Sequence, residues 1–325
     1  IYLYTKFEII WFLCLSMPII FFTIINSFCY GILNSLEKFY HAEFSPFTRS
    51  IIIFLTIFLL GNQVGIVAVI IGYNLGEIGK FFHLFYILYV KEKIKINLRF
   101  NDYESVKSFV KQGSYQILST TLSSSNVLID KIVASFLVLG SISILDYGDR
   151  LYMIFAVILN SFLTIILSEW SKDDNLGQFN LDKLHRSIFV IFAISIVTLF
   201  IIVLLKYPIV DFLYPKIEVN ERKLVSIILM LNMVGFVFNS VNQVINRATI
   251  VIGATQIMIK TSVFRVILNI ILDIIFAFYW GVIGIAIATI FVHLIALCIN
   301  YYLFRKEIFI YNLSSIKNNL HLDSH

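Results

Sequence analysis

Apolar runs long enough to cross a membrane recur along the whole sequence. A run of about 18 to 20 residues is sufficient, because a helix of that length covers about 30 Å of hydrocarbon. The composition agrees, since 59% of the residues are hydrophobic and only 14% are charged. The sequence therefore predicts an all-α, polytopic membrane bundle of about nine helices, with approximate limits 8–30, 47–61, 64–90, 112–138, 148–168, 187–206, 224–246, 258–280 and 282–304.

Basic residues orient and divide this bundle. The longest polar interval within the membrane region contains Lys91, Lys93, Lys95, Arg99, Lys107 and Lys111, whereas the connections near Gly61 and Gly140 contain no Lys or Arg. Because short cytoplasmic loops are rich in Lys and Arg, we expect this interval in the cytoplasm. We predict four parts: three spans of an N-terminal lobe, a basic cytoplasmic linker, six spans of a C-terminal lobe, and a cytoplasmic tail, at 1–95, 96–111, 112–306 and 307–325.

A faint internal repeat suggests how the spans are grouped. Asn26 and Ser27 begin a run of span, basic loop, span and short turn that leads to GIVAVI. Asn239 and Ser240 begin a similar run that leads to GVIGIAIA. Three spans before the linker would then match the last three after it. The repeat predicts two six-helix lobes in parallel orientation, with three further helices preceding Ile1.

Two acidic residues, Asp130 and Asp273, lie in stretches that are otherwise built for lipid. A carboxylate at bilayer depth costs about 3 kcal/mol or more, so it is normally kept for an ion or substrate path. Asn269 stands four residues before Asp273, which puts both side chains on one face of a helix. Thr289 could add a hydroxyl, the carbonyl of Ile285 could be exposed by small neighbours, and Asp130 could close the shell from another helix.

An all-oxygen cluster of this kind suits a hard cation. Na⁺ or a proton is favoured over a transition metal, because no Cys or His joins the group. The alternative is purely structural. In that case Asn269 and Asp273 hydrogen-bond adjacent helices, and Asp130 pairs with Lys131 near an interface.

Asp149 and Arg150, in the segment SISILDYGDRLY, form a second candidate site. The guanidinium of Arg150 is a permanently charged fork suited to phosphate oxygens, and Asp149 can hold its geometry. A diphosphate headgroup would fit this chemistry. The alternative is a snorkelling Arg at a helix end, paired with Asp149 or Asp146.

Other charged residues within the spans are weaker candidates. Glu77 and Lys80 lie near mid-bilayer and could line a substrate cavity, although an i, i+3 ion pair that faces neighbouring helices is an equal alternative. Arg265 is interpreted as a snorkelling anchor near the cytoplasmic side. His83 and His293 are lone histidines in apolar helices, which we interpret as packed or interfacial side chains.

The order of these residues resembles a known family. The stretch from Asp130 to Tyr152, D-x₃-AS-x₄-GSIS-x₃-Y-x-DRLY, is followed by YPIVDFLYP, VILNIILD and GVIGIAIAT. It resembles the MurJ/MviN family of lipid II flippases, within the superfamily of multidrug and oligosaccharidyl-lipid exporters. The resemblance covers most of residues 105–305. Upstream, GILNSLEKF with Ala42 and Ser45-Pro46 also resembles helices of that family.

The resemblance implies a two-lobed flippase fold and a role for each candidate residue. Asp149 and Arg150 would correspond to an acid and an arginine of the family's cationic cavity, where a lipid-linked diphosphate sugar is thought to bind. The family's sodium site would correspond to Asp130, Asn269, Asp273, Thr289 and the carbonyl of Ile285.

Departures from the family pattern follow the DRLY motif. The family usually has a proline and then glycines, where this chain has Phe155, Val157 and Asn160. Later prolines are replaced by Ser168 and Ser262. Helix breaks that could bend during transport are therefore expected to be missing here.

The predicted function is transport without covalent chemistry. An undecaprenyl diphosphate-linked glycan resembling lipid II would be flipped from the cytoplasmic to the outer leaflet by alternating access, coupled to Na⁺ or to membrane potential. We expect a monomer in the bacterial cytoplasmic membrane, in contact with the lipid bilayer, with no organic cofactor and no nucleic-acid partner. The alternatives are a flippase for O-antigen, capsule or exopolysaccharide units, a multidrug cation antiporter, and a scaffold that transports nothing.

Overall fold

The computed structural model describes residues 6–93, 103–173 and 179–322, and those residues form helices and turns without any strand. A short π-helical turn, Ile87–Lys91, follows the third helix. The α-helices are α1 Lys6–Ser35, α2 Phe39–Val64, α3 Ile66–Tyr86, α4 Tyr103–Ser135, α5 Ser141–Asp173, α6 Leu181–Leu213, α7 Val219–Val251 and α8 Gln256–Leu322. The predicted all-α membrane class is confirmed.

The predicted count of nine spans is slightly too high. Among the described residues, six helices are long and apolar enough to cross a membrane. One reason is that α8 covers both predicted final spans, with a kink at Gly281, where φ is 58° and a residue without Cβ is favoured. The other reason is polarity, because Asn74, Glu77 and Lys80 interrupt α3, and six of the seven residues 119–125 of α4 have hydroxyl side chains.

The chain divides into two compact units, Ile1–Arg99 and Phe100–His325. In the N-terminal unit α3 packs against both α1 and α2. Gly76 of α3 makes the contact with α2 close, because a Cβ there would lie 2.9 Å from the Ile53 side chain and 3.1 Å from the Arg49 carbonyl. This approach brings the Arg49 side chain beside Glu77, the next residue of α3.

The C-terminal unit is built around α7. This helix packs against α5, α6 and α8, while α4 packs along α8. Ile228, Leu229, Met233, Val244 and Ile245 of α7 are completely buried, as expected for the central helix of a bundle. Large apolar side chains such as Phe212 and Phe278 are more than 80% exposed on other helices, which suits contact with lipid.

The predicted domain limits stay predictions, and part of them lies outside the described residues. Residues 94–102, which include Lys95, Arg99 and the start of the predicted linker, belong to that part. The helix α4 already begins at Tyr103, within the predicted linker 96–111. The predicted tail 307–325 is helical as far as Leu322, because α8 continues through it.

Candidate functional site

Two buried acids of the C-terminal unit share one amide. The Asn269 Nδ2 atom donates to Asp130 Oδ1 at 2.7 Å and to Asp273 Oδ2 at 3.0 Å. Asp273 is completely buried, Asn269 is 1% exposed, and Asp130 is half-buried. The contact joins α4 to α8, and the four-residue spacing within α8 puts Asn269 and Asp273 on one face, as predicted.

Four of the five predicted cation ligands line a single cavity, and the fifth, Asp273, is joined to them through its hydrogen bond with Asn269. The cavity volume is about 140 Å³, and its walls come from α4, α5, α7 and α8. Thr289 and Ile285 lie on the wall formed by α8, where the Thr289 hydroxyl donates to the Ile285 carbonyl at 3.0 Å. The cavity walls include Asn126, Asp130, Asp149, Asn232, Arg265, Asn269, Ile285, Thr289 and His293.

The atoms around this cavity fit a hard cation. Carboxylate, amide, hydroxyl and carbonyl oxygens are the ligands that such ions take. Asp273 Oδ1 is buried and has no hydrogen-bond partner, so one oxygen of the acid pair is left unsatisfied by the protein itself. In the described part of the chain no three His, Cys, Asp or Glu side chains form a metal-binding group. The donor set therefore suits Na⁺ better than zinc, and the sodium site stays a prediction.

Asp149 and Arg150 are adjacent in sequence but have different partners. Asp149 lines the cavity and accepts a hydrogen bond from Asn232 Nδ2 at 3.0 Å. The Arg150 side chain is 69% exposed, and its Nε atom donates to Asp146 Oδ2 at 2.8 Å. Asp146 also pairs with Lys131 at 2.7 Å. Asp146, rather than Asp149, therefore holds the guanidinium of Arg150.

Glu77 of the N-terminal unit is a buried ion-pair member. Its Oε1 atom accepts from Arg49 Nη1 at 2.8 Å, and its Oε2 atom accepts from Asn26 Nδ2 at 2.8 Å. Lys80 lies one turn further along the same helix and is half-buried. The partner of Glu77 is thus Arg49 of α2 rather than Lys80, because the glycine contact described above brings Arg49 close.

The sequence interpretation missed the contact between Arg265 and His293. Arg265 Nη2 lies 2.5 Å from His293 Nδ1, and both side chains line the same cavity as Asp130. Arg265 is therefore a cavity residue, and its interpretation as a snorkelling anchor was wrong. One signal was available, because Arg265, Asn269 and Asp273 are spaced four residues apart and so follow one helix face.

The sequence is similar to one protein family and to named relatives of it. The family model of the lipid II flippase MurJ matches residues 6–322. The probable lipid II flippase MurJ of Rickettsia prowazekii (strain Madrid E) is 28% identical over 87% of this chain and 57% of its own length. The lipid II flippase MurJ of Thermosipho africanus (strain TCF52B) is 29% identical over 85% of this chain and also 57% of its own length. The chain thus spans somewhat more than half of these relatives.

Solved structures agree on the fold. A structure of the lipid II flippase MurJ in an inward closed conformation has a TM-score of 0.64 and 27% identity, covering 94% of this chain and 66% of that one. An outward-facing multidrug resistance transporter of the MATE family has a TM-score of 0.81 but 17% identity, covering 92% and 69%, so this likeness shows the fold alone. Since the family model matches nearly the whole sequence, this chain belongs to the family of the lipid II flippase MurJ.

Proposed function

We propose that this chain carries out part of a flippase cycle, in which a polyprenyl diphosphate-linked glycan of the lipid II type is moved from the cytoplasmic to the outer leaflet. The observation that carries this proposal is the family match over residues 6–322. The relatives from Rickettsia prowazekii and Thermosipho africanus, named as lipid II flippases, add support. Movement would occur by alternating access, in which the site opens to one side of the membrane at a time.

We assign the acid pair of the C-terminal unit to ion coupling. Asp130, Asn269, Asp273, Thr289 and the carbonyl of Ile285 would hold Na⁺, which would supply the positive charge that two neighbouring carboxylates need. Asn269 positions both carboxylates through its single amide nitrogen. Thr289 orients its hydroxyl on the Ile285 carbonyl at the same cavity wall.

We assign binding of the substrate's diphosphate headgroup to Arg150. Its exposed guanidinium, held from one side by Asp146, leaves other N–H groups for the oxygens of a diphosphate. Asp149, one residue earlier in α5, lines the cavity that contains Asp130 and Asn269, which we call the ion cavity. Arg150 is therefore adjacent in sequence to a residue of the ion cavity. Glu77 and Lys80 are the candidates from the N-terminal unit, where the Arg49 pair holds the Glu77 carboxylate.

Membrane potential provides enough energy for such a cycle. One elementary charge that crosses 100 mV is worth about 2.3 kcal/mol, which changes an equilibrium by about fiftyfold. A single coupled cation would therefore be sufficient to bias the direction of transport.

Depletion of the protein in its native cell tests the substrate class. Mass spectrometry of lipid-linked precursors on the cytoplasmic face should show lipid II accumulating, and the wild-type gene should reverse the accumulation. Complementation with Arg150→Ala should fail, whereas Arg150→Lys should restore part of the flux because it keeps the charge but loses the fork. Accumulation of another polyprenyl glycan would move the substrate to O-antigen, capsule or exopolysaccharide units.

A multidrug cation antiporter is the second candidate. Its fold is shared, with a TM-score of 0.81 to a MATE family transporter, whereas the family match favours the flippase. Such a protein could use Asp130 and Asp273 as cation carriers but has less need of Arg150. Cation efflux that is insensitive to lipid diphosphates, together with unchanged precursor levels on depletion, would support it. Unchanged precursors without efflux would favour the scaffold.

A further inference from the structure

Polar side chains form continuous stripes on the facing helices of the C-terminal unit. On α4 the stripe contains Gln116, Ser119, Ser123, Asn126 and Asp130, at intervals of three or four residues. These residues share one helix face and cover about 21 Å at 1.5 Å per residue. On α8 the corresponding stripe is Thr261, Ser262, Arg265, Asn269 and Asp273, and on α7 it is Asn232, Asn239, Gln243 and Asn246.

The stripes line two cavities that share residues. The first is the ion cavity described above, and the second has a volume of about 260 Å³. Most residues that line the second cavity are polar, and its charged members are Arg247 and Arg265. The uncharged polar residues include Gln116, Ser119, Asn242, Gln243, Asn246 and Ser262. Ser123 and Arg265 line both cavities. The two spaces are therefore neighbours within one bundle. We call the boundary between them, formed by Ser123 and Arg265, the neck.

The second cavity lies towards the turn that joins α7 to α8. Arg247 and Ile250, in the last turns of α7, belong to its wall. Gln112 of α4 lies against Gly253 in the same turn, where a Cβ would be 3.5 Å from its Nε2 atom. The basic residues of the interval 91–111, which ends next to Gln112, predict that this end of the bundle faces the cytoplasm.

The polar groups along this route are only partly satisfied by one another. Ser262 Oγ contacts Ser119 Oγ at 2.8 Å and Ser123 Oγ at 3.1 Å. By contrast, Asn126, which is 8% exposed and lines the ion cavity next to the neck, has no hydrogen-bond partner for either amide atom. A buried amide with both ends unsatisfied is costly in a bundle unless a polar ligand reaches it.

The neck is occupied by the contact between Arg265 and His293. The Arg265 guanidinium lies against the His293 ring at 2.5 Å, and the ring fits because Gly235 of α7 leaves room, since a Cβ there would be 3.1 Å from it. A fixed positive charge at a narrow point repels a passing cation. Neither side chain is among the predicted cation ligands.

We propose that these residues form a cation path inside the C-terminal unit. The path runs from the Asp130 and Asp273 pair to the end of the bundle at the α7–α8 turn, and Arg265 closes it while it contacts His293. The identity of the cation rests on the proposed function, whereas the path itself rests on the two cavities and their polar stripes.

Cysteine labelling tests the path without requiring ion binding. In a background where Cys14, Cys29 and Cys298 are replaced by Ala, Ser119→Cys is compared with Leu118→Cys. The reagent is a cationic, membrane-impermeant thiosulfonate applied to inside-out vesicles that contain the protein. Ser119 lines the second cavity, whereas Leu118 lies at the same depth and faces outward, 49% exposed.

We expect Ser119→Cys to react about tenfold faster than Leu118→Cys, because only a thiol in contact with water forms the reactive thiolate readily. Equal rates would overturn the path.

A second position tests the closure at Arg265. Asn126→Cys lies in the ion cavity and should react slowly in the Cys-replaced background. Adding Arg265→Ala should accelerate it about tenfold, because removal of a fixed charge raises the local concentration of a cationic reagent. Arg265→Lys is the matched control, which keeps the charge and should keep the reaction slow. His293→Ala should also accelerate labelling, since Arg265 then loses its contact. If neither Arg265→Ala nor His293→Ala changes the rate, Arg265 does not close the path.

Protection by ions separates this inference from the proposed function. With Arg265→Ala present, Na⁺ should slow the labelling of Asn126→Cys relative to K⁺ at equal ionic strength, and Asp273→Ala should remove the protection. If the labelling pattern holds but Na⁺ gives no protection, the path is supported and the sodium assignment fails. If Na⁺ stabilises the protein but Ser119→Cys and Leu118→Cys react equally, the sodium assignment is supported and the path fails.

Discussion

Both units contain buried carboxylates, but the side chains that contact these carboxylates differ. In the N-terminal unit the buried carboxylate of Glu77 is matched by one cation, Arg49, and each of its oxygens accepts a hydrogen bond. In the C-terminal unit two carboxylates, Asp130 and Asp273, share a single neutral amide, and one buried oxygen has no partner. The first group thus has a cation in direct hydrogen-bond contact, whereas the second has a neutral amide between its two acids.

This difference separates a structural pair from a site that needs a ligand. A balanced buried pair holds helices together, and its loss exposes one uncompensated charge. Two neighbouring carboxylates bridged by a neutral amide are unfavourable until a cation or proton joins them. Arg265 lies in the same cavity, but its contact is with His293. The comparison predicts that substitutions in the N-terminal group change stability, and that those in the C-terminal group change the response to ions.

The largest effect on stability should come from Arg49→Met. It leaves the Glu77 carboxylate, which is 2% exposed, without its paired cation. Because the Arg49 side chain is 35% exposed, the cost should be about 3 kcal/mol, the lower end of the range for a buried pair. Thermal unfolding in detergent should show a large fall in Tm. Replacing both partners, as Arg49→Met with Glu77→Leu, should recover most of the loss, because no charge is then left buried. If the double variant is no more stable than Arg49→Met, the pair is not the source of the effect.

The next effect is the loss of stabilisation by Na⁺ in Asp273→Asn. Ligand at about 100 times its Kd stabilises a folded protein by about 2.7 kcal/mol, so the wild-type Tm should rise when Na⁺ replaces K⁺. Asp273→Asn should remove this rise, and its Tm without Na⁺ should equal or exceed the wild-type value, because one of two neighbouring negative charges is gone. Glu77→Gln is the matched control, which should keep the rise. A rise retained in Asp273→Asn would exclude Asp273 as a ligand.

The contact among Asp130, Asn269 and Asp273 could be predicted from the sequence because its geometry depends mostly on one helix, whereas ion binding there stays a prediction. Asn269 and Asp273 are four residues apart in one helix. Because a carboxylate at bilayer depth is unfavourable, Asp130 was predicted to contact them. The family match also confirms the predicted resemblance, because the family model of the lipid II flippase MurJ covers residues 6–322.

Contacts between helices could not be predicted in the same way. The partner of Glu77 is Arg49 and the partner of Arg265 is His293, each 28 residues away in sequence. Which face of one helix meets which face of the next depends on close packing at glycines such as Gly76 and Gly235, and apolar composition alone does not specify that rotation. For the same reason the sequence suggested local partners, such as Lys80 for Glu77.

A smaller effect is expected from Thr289→Val, which sharpens the assignment of the cation shell. Val has the shape of Thr without the hydroxyl, so the contact with the Ile285 carbonyl is lost while packing is kept. One hydrogen bond or ligand oxygen is worth about 1 kcal/mol, which corresponds to about fivefold weaker Na⁺ binding. Titration of Tm against Na⁺ concentration measures this shift, with Thr289→Ser as the control that keeps the hydroxyl. Unchanged affinity in Thr289→Val would place Thr289 outside the shell.

The smallest effect on stability should come from Arg150→Ala, which tests a third kind of ion pair. The Arg150 side chain is 69% exposed, and its partner Asp146 keeps a second cation, Lys131, when Arg150 is removed. An exposed pair with i, i+4 spacing contributes about 0.5 kcal/mol or less, so the Tm should barely change. If Arg150 binds a diphosphate, the same variant should nevertheless fail to clear lipid-linked precursors in depleted cells. Lys131→Ala is the matched control, since it removes the other cation of Asp146 without touching the guanidinium. A variant that is stable and still clears precursors would leave Arg150 as an exposed ion-pair member only, which is the alternative that its sequence allowed.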